Sequence, residues 1–263
     1  MSSDSTHRAR KRFGQNFLTD MSVVSQIVAA INPSSNDHIV EIGPGLGVLT
    51  QSLLPLVHHL DAVELDRDLV KKLNATTLPL GNFAIHSADA LKFDFCALQK
   101  DNQPLRVVGN LPYNISTPLL FHLFSQINCI SDMYFMLQKE VVNRLIASPG
   151  TKSYGRLSVF VQYYCQAEKM FDVAPTAFSP QPKVVSSIVC LTPHKAPPVV
   201  LKSIDNFEKI VNASFAQRRK TLRNNLKKIL SDEQLLSVNI EPSRRGETLS
   251  LEEFAALSNL LSH

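Results

Sequence analysis

A short apolar run, HIVEIG (38–43), passes directly into the turn Gly43-Pro-Gly45-Leu-Gly47 and then into the helical pattern Val48 to Val57. Glycine at every second position marks a tight turn that brings the backbone close to a neighbour, because a Cβ would block the approach. A buried strand that ends in such a turn and resumes as a helix opens a βαβ unit. That commits the chain to a mainly parallel sheet, and open sheets of this kind bind ligands beyond the carboxyl ends of their strands.

The remaining sequence keeps the alternation. LDAVEL (60–65), NFAIHSAD (82–89), LRVVGN (105–110) and DMYFMLQ (132–138) read as further buried strands, with RDLVKKLN, Pro118 to Gln126 and KEVVNRLIA as helices between them. SVFVQYYCQAEKM (158–170) and KVVSSIVCLTP (183–193) are two later strand candidates, expected to pair antiparallel at the sheet edge. A proline-rich stretch, Pro193 to Pro198, precedes residues 203–230 and 250–261, which show helical periodicity and no strand signal. The expected organisation is a basic N-terminal segment (1–37), an α/β domain (38–192) and a small all-helical domain (193–263).

A chain of 263 residues with 44% hydrophobic and 19% charged side chains can bury such a core, and its composition excludes disorder. No apolar run approaches the roughly 18 residues of a membrane span. The basic residues at 8–12 are not followed by a signal-peptide apolar stretch, so a cytoplasmic protein is expected.

Glu64 ends the next strand candidate, 21 residues after Gly43, where a carboxylate can accept both hydroxyls of a ribose. Dinucleotides and S-adenosylmethionine both fit that much. The dinucleotide fingerprint spaces its glycines Gly-x-Gly-x-x-Gly, whereas this turn is Gly-x-Gly-x-Gly and follows Glu41. A carboxylate there would repel a pyrophosphate and suits a cationic sulfonium ligand, which disfavours a nicotinamide oxidoreductase. Asp89, at the end of the third strand candidate, can accept from an adenine amino group, although alone it would read as a turn or capping aspartate.

Asn110-Leu111-Pro112-Tyr113 follows the strand LRVVG directly. A Pro-directed turn with a buried tyrosine is the plainer reading. Chemistry gives a sharper one. An exocyclic adenine nitrogen is a poor nucleophile because its lone pair is delocalised, and two acceptors aimed at its N–H bonds favour the reactive tetrahedral form. The Asn110 side-chain oxygen and the Leu111 carbonyl can be those acceptors, Pro112 fixes the turn without adding a donor, and Tyr113 offers a face for an extruded base. Phe178, in a proline-stiffened loop, is a candidate for the other face and otherwise a loop anchor packed on the core.

The net charge of +4 is unevenly placed: residues 8–12 read RARKR, and residues 217–228 carry six basic residues and no acid. Two such clusters point to a polyanionic partner, nucleic acid before membrane, with Arg10, Lys11, Arg12, Arg218, Arg219, Lys220 and Arg223 as candidate contacts; a solvated face is the competing account. Cys96, Cys129, Cys165 and Cys190 are widely separated and read as buried reduced thiols. His58 and His59 are adjacent and should diverge, so no metal site is assigned.

Lys11-Arg-Phe-Gly-Gln-Asn-Phe-Leu18, Glu41 to Gly47, Glu64-Leu-Asp-Arg67, Asp89-Ala90, Gly109 to Thr117, Gln138 to Leu145 and Phe178 to Val184, with Gln217 to Thr221, together resemble the small-subunit ribosomal RNA adenine dimethyltransferases. The resemblance runs from about residue 8 to the end. It implies a Rossmann-like class I S-adenosyl-L-methionine-dependent methyltransferase domain with a helical C-terminal appendage. It also implies cofactor contacts at Asn16, Leu18, Gly43, Gly45, Glu64, Asp89, Ala90 and Asn110. The implied substrate is two adjacent adenosines in a hairpin loop near the 3′ end of small-subunit RNA, within an immature subunit, each taken to N6,N6-dimethyladenosine by a monomeric enzyme. The macrolide-resistance methyltransferases are similar in the glycine and Asn-Leu-Pro-Tyr turns but modify large-subunit RNA, and the matches at 138–145 and 178–184 favour the small-subunit group. A non-catalytic RNA-binding assembly or transcription factor on the same fold is the rival of another class, against which Asn110 and Glu64 argue.

Overall fold

A computed structural model describes residues 16–77, 81–100 and 103–261. Its main sheet has seven strands: β2 (His38–Ile42), β3 (His59–Glu64), β4 (Phe83–Ser87), β5 (Leu105–Asn110), β6 (Ile130–Gln138), β7 (Cys165–Val173) and β9 (Ser186–Pro193). They lie in the order β4-β3-β2-β5-β6-β9-β7. The first five pair in parallel, and β9 runs antiparallel to β6. Every residue of β2 is buried, as a strand covered on both faces must be. The first strand, β1 (Phe17–Leu18), pairs antiparallel with β8 (Phe178–Ser179) in a small separate sheet that the sequence does not announce.

The crossovers are α2 (Val48–Leu53), α3 (Arg67–Thr77) and α4 (Ser116–Phe124), preceded by α1 (Met21–Ile31) and followed by α5 (Lys139–Leu145). Helix α1 starts at Asp20, whose side chain accepts from the Ser22 amide, and ends at Asn32 in the left-handed region. Its apolar stripe, Val24, Ile27 and Ile31, is buried at helical spacing. Arg106 on β5 fastens the end of this helix. It donates to the Ile31 carbonyl (2.6 Å) and the Asn32 carbonyl (3.3 Å), and pairs with Asp37 (2.6 Å) and Asp132 (2.9 Å). Burial opposes its charge, yet the two carboxylates outweigh that and hold the guanidinium above its usual pKa.

The chain divides into two compact units. Among the described residues, one comprises those up to Val142 together with Glu168–Pro193, the other Asn143–Ala167 together with those from His194 on. Residues 143–167, expected within the α/β domain, cluster with the C-terminal helices, and the last break falls one residue from the expected boundary at 192. The strand expected from Ser158 is also corrected: residues Arg156–Tyr164 form helix α6. Val159, Phe160 and Val161 are all buried, so this short apolar run has no alternation by which a buried helix could be told from a strand. The second unit adds α7 (Ile204–Ser214), α8 (Leu222–Leu226), α9 (Asp232–Ser237) and α10 (Leu251–Asn259). Serines 203, 231 and 250 cap three of these, and Phe207 packs edge-on to Phe160. Arg244 is bidentate to Glu253, the capping-box residue of α10.

The expectation of four reduced thiols fails at two positions. Cys96 and Cys129 are joined by a disulfide, with Cα atoms 5.5 Å apart, while Cys165 is a buried and Cys190 a half-buried thiol. Their pairing is tertiary: the Gln126 side chain accepts from the Phe95 and Cys96 amides and draws the two turns together. No described helix is long and apolar enough to cross a membrane.

Replacing Arg106 with Ala strands two carboxylates and frees two helix-terminal carbonyls. Chemical denaturation should show a loss of about 2–3 kcal/mol; a loss below 0.5 kcal/mol would mean that water replaces the guanidinium without cost.

Candidate active site

The turn after β2 takes the conformation its glycines imply, with φ of 67° at Gly43, 61° at Gly45 and 81° at Gly47. A Cβ on Gly47 would stand 2.4 Å from Cδ2 of Leu73 on α3, so a larger residue there would have to displace that side chain as well as adopt a left-handed backbone. The Gly43 amide donates to Val63 (2.9 Å), which seats the turn beside the end of β3. Beyond these strand ends lies a cavity of about 350 Å³.

Asn16, Leu18, Gly43, Gly45, Glu64, Asp89, Ala90 and Asn110 all line that cavity, as do Leu111, Pro112 and Tyr113. They come from four strand ends and the N-terminal segment. Glu64 is buried, and accepts from the Gly45 amide (3.3 Å) and the Asp66 amide (2.8 Å). Burial raises its pKa above the usual carboxylate value. Glu41, also in the lining, is pushed up to about 7, chiefly by burial; a 2.6 Å bond from Thr50 opposes the shift and the charge of Glu64 adds to it. Two buried carboxylates with raised pKa values want a cation. Asp89 carries a turn bond as well, accepting from the Leu91 amide at 3.0 Å.

Asn110 Nδ2 donates to the backbone carbonyl of Asn16 at 3.1 Å, across 94 residues. With the amide nitrogen engaged by a carbonyl, the orientation of the amide is set and Oδ1 is the atom left to accept from a ligand. Leu111 donates its amide to Met136 (3.2 Å), and Pro112 closes the turn by accepting from Ile115 (3.2 Å). The Tyr113 hydroxyl lies 2.9 Å from Ser186 Oγ on β9, a partner no sequence signal marks. Phe17, also in the lining, was missed although it stands between two residues that were named.

Phe178 takes the plainer of its two readings. It is 3% exposed, pairs with Leu18 between β8 and β1, and belongs to the core cluster rather than to the cavity lining. In this conformation its ring offers no face to a ligand.

In the helical unit, the six basic side chains between 218 and 228 are exposed while Leu222 and Leu226 among them are buried, and two of the six are paired by acids outside the stretch. Arg218 meets Glu247 (3.0 Å) and the Lys152 carbonyl, and Arg223 meets Asp232 (2.7 Å). Arg219 and Lys220 are exposed, and no ion pair is recorded for them among the described residues. Arg10, Lys11 and Arg12 lie outside the described residues.

A family model described as ribosomal RNA adenine dimethylase matches residues 6–263. The chain belongs to that family. A ribosomal RNA small subunit methyltransferase A from Saccharophagus degradans is 55% identical over 255 residues, covering 97% of this chain and 95% of the relative. Its counterpart from Methylococcus capsulatus is 54% identical, covering 97% and 99%. Among solved structures, a dimethyladenosine transferase from Plasmodium falciparum superposes with a TM-score of 0.79 at 26% identity, covering 92% of this chain and 95% of that one. The 23S rRNA methyltransferase ErmE superposes at 0.70 with 22% identity, covering 92% and 98%, which establishes a shared methyltransferase fold. The adenine dimethylase family thus meets here a Rossmann-like sheet whose cavity combines a glycine cradle, two buried carboxylates and an oriented asparagine.

The raised pKa of Glu41 gives a pH signature. In the folded free protein Glu41 holds its proton up to about pH 7, well above the ordinary 4.5, so its contribution to stability falls as pH rises between those values. A cationic ligand favours the ionised form, so cofactor affinity should rise with pH and level off above about 7. The slope below that point should approach about tenfold per pH unit. Calorimetric titration with S-adenosylmethionine from pH 5.5 to 7.5 measures it, and Glu41→Gln should flatten the profile; an unchanged profile in the variant would assign the slope to another group.

Proposed function

We propose that this chain transfers methyl groups from S-adenosylmethionine to N6 of two adjacent adenosines near the 3′ end of small-subunit ribosomal RNA. The substrate is the RNA within an immature subunit, and the enzyme acts as a monomer in the cytoplasm. The observation that carries the reading is the Asn110 amide, fixed by Asn16 at the end of β5 and facing a cavity that suits a sulfonium cation. Family membership and relatives above 50% identity along nearly the whole chain support the RNA class.

The cofactor, when bound, supplies a methyl group on a positively charged sulfur. The glycine turn would give it close backbone contact, Glu64 would hold the ribose hydroxyls, Asp89 would accept from the adenine amino group, and Glu41 would balance the positive charge. On the substrate side, Asn110 Oδ1 and the Leu111 carbonyl accept from the two N–H bonds of the target amine. Its lone pair would then be turned out of the ring system. Tyr113, anchored through Ser186, supplies a stacking face. Displacement needs alignment rather than a strong base, because the nitrogen loses its proton readily once it becomes cationic.

Asn110→Ala should keep the fold and RNA binding but lower single-turnover methylation by about 10²–10³ at saturating cofactor, the size seen when one oriented polar group is removed. Mass spectrometry of small-subunit RNA reads both the site and the degree of methylation. Near-normal turnover by the variant would mean that another group orients the amine, and an unmodified small subunit beside a modified large one would redirect the substrate.

For RNA contact, Arg219 and Lys220 carry the expectation more directly than their paired neighbours. Neutralising both should reduce the slope of log K against log salt by roughly 1.4–1.8, about 0.7–0.9 per phosphate contact. Neutralising Arg218 and Arg223 should change it less, and an unchanged slope in the first pair would return this stretch to a solvated face.

A further inference from the structure

The register of the parallel sheet creates a cluster that the sequence does not reveal. His38 lies opposite His59, and Asp61 and His86 follow on the same sheet face, because alternate residues of paired strands point the same way. The neighbour of His59 is not His58 beside it in sequence but His38 across the sheet, 21 residues away. None of these four side chains lines the cofactor cavity, which lies beyond the other ends of β2 and β3.

Three imidazoles converge on one carboxylate. His38 Nε2 stands 2.6 Å from Asp61 Oδ2, His86 Nε2 2.6 Å from Asp61 Oδ1, and His59 Nε2 3.4 Å from Oδ2. Each oxygen of Asp61 thus has one imidazole at 2.6 Å. The third imidazole is directed at an oxygen that His38 already engages, and its ring meets that of His38 edge-on with centroids 5.1 Å apart. Side chains of this polarity are costly on a buried sheet face, and a single His–Asp pair would meet any structural need.

We propose that His38, His59 and Asp61 bind one divalent transition-metal ion of the zinc class. The ligating atoms of the three side chains lie within 4.8 Å of one another. Ligands held about 2.0 Å from a tetrahedral ion are about 3.3 Å apart. The His59 to Asp61 separation already has that length. The His38 to Asp61 contact is a hydrogen bond, and it widens as the ion replaces the proton, which His38 then carries on Nδ1. His86 holds the second oxygen of Asp61 and so presents Oδ2 to the ion, as carboxylates bound to metals are oriented by outer partners. His38 and Asp61 are 5% exposed and His59 is 21% exposed, so ion and water enter from the His59 side. Imidazole nitrogen with one carboxylate oxygen selects zinc, cobalt or nickel over magnesium or calcium. The bound ion ties β2 to β3, so binding favours the folded state.

The test uses the full chain, freed of metal with a chelator and then of the chelator. Elemental analysis and calorimetry should find one zinc per chain, with a higher thermal midpoint, and cobalt should give the intense visible absorption of a four-coordinate site. His59→Gln should weaken zinc binding at least about tenfold while S-adenosylmethionine binding persists. His58→Gln should change nothing. The proposal is overturned if the wild-type chain takes up no stoichiometric zinc, if its cobalt spectrum is that of a pale six-coordinate ion, or if His59→Gln binds zinc as tightly as the wild type. The wild-type cobalt spectrum decides the matter should His59→Gln fail to fold.

Discussion

The parallel pairing of β2 with β3 and β5 is the constraint on which the rest of the catalytic unit depends. It brings Ile42, Glu64 and Asn110 to one edge of the sheet, so that a glycine turn, a carboxylate and an amide face a common space. The 2.9 Å bond from Gly43 to Val63 is the last rung of that ladder and fixes where the turn leaves the sheet. Because these strands are buried on both faces, a slip of one residue would turn every side chain to the opposite face and break the packing on both sides, which holds the strand ends level.

The same buried setting tunes the electrostatics. Glu41 and Glu64 are costly to ionise there, and that cost makes the cavity receptive to a positive ligand. Arg106 solves the opposite problem at the base of the unit, where two carboxylates and two helix-terminal carbonyls compensate a charge that burial disfavours. The Asn16 carbonyl has a subtler part. The residues that follow it, Phe17 and Leu18, pair with Ser179 and Phe178 of β8, so the segment around Phe178 packs against the strand next to that carbonyl.

Much of this was legible in the residues. The five parallel strands appear where apolar β-branched runs predict them, and the glycines adopt the left-handed angles their spacing requires. The misses share a cause. The helix Arg156–Tyr164 is short and its centre, Val159 to Val161, is a continuous buried apolar run that shows no period, and Phe178 is an aromatic whose surroundings, not its identity, decide whether it packs or stacks. In the basic stretch, Glu247 and Asp232 pair two arginines that look unopposed in one dimension.

By itself the sequence determined the βαβ order, the position of the ligand turn and the residue types that suit methyl transfer, because each rests on local backbone preference or on hydrophobic periodicity. Only the tertiary structure decided which partners those residues meet: Ser186 for Tyr113, Cys129 for Cys96, Asn16 for Asn110, and His38 with His59 around Asp61. Such pairings depend on strand order and register, which long-range packing sets and which no local pattern along the chain encodes.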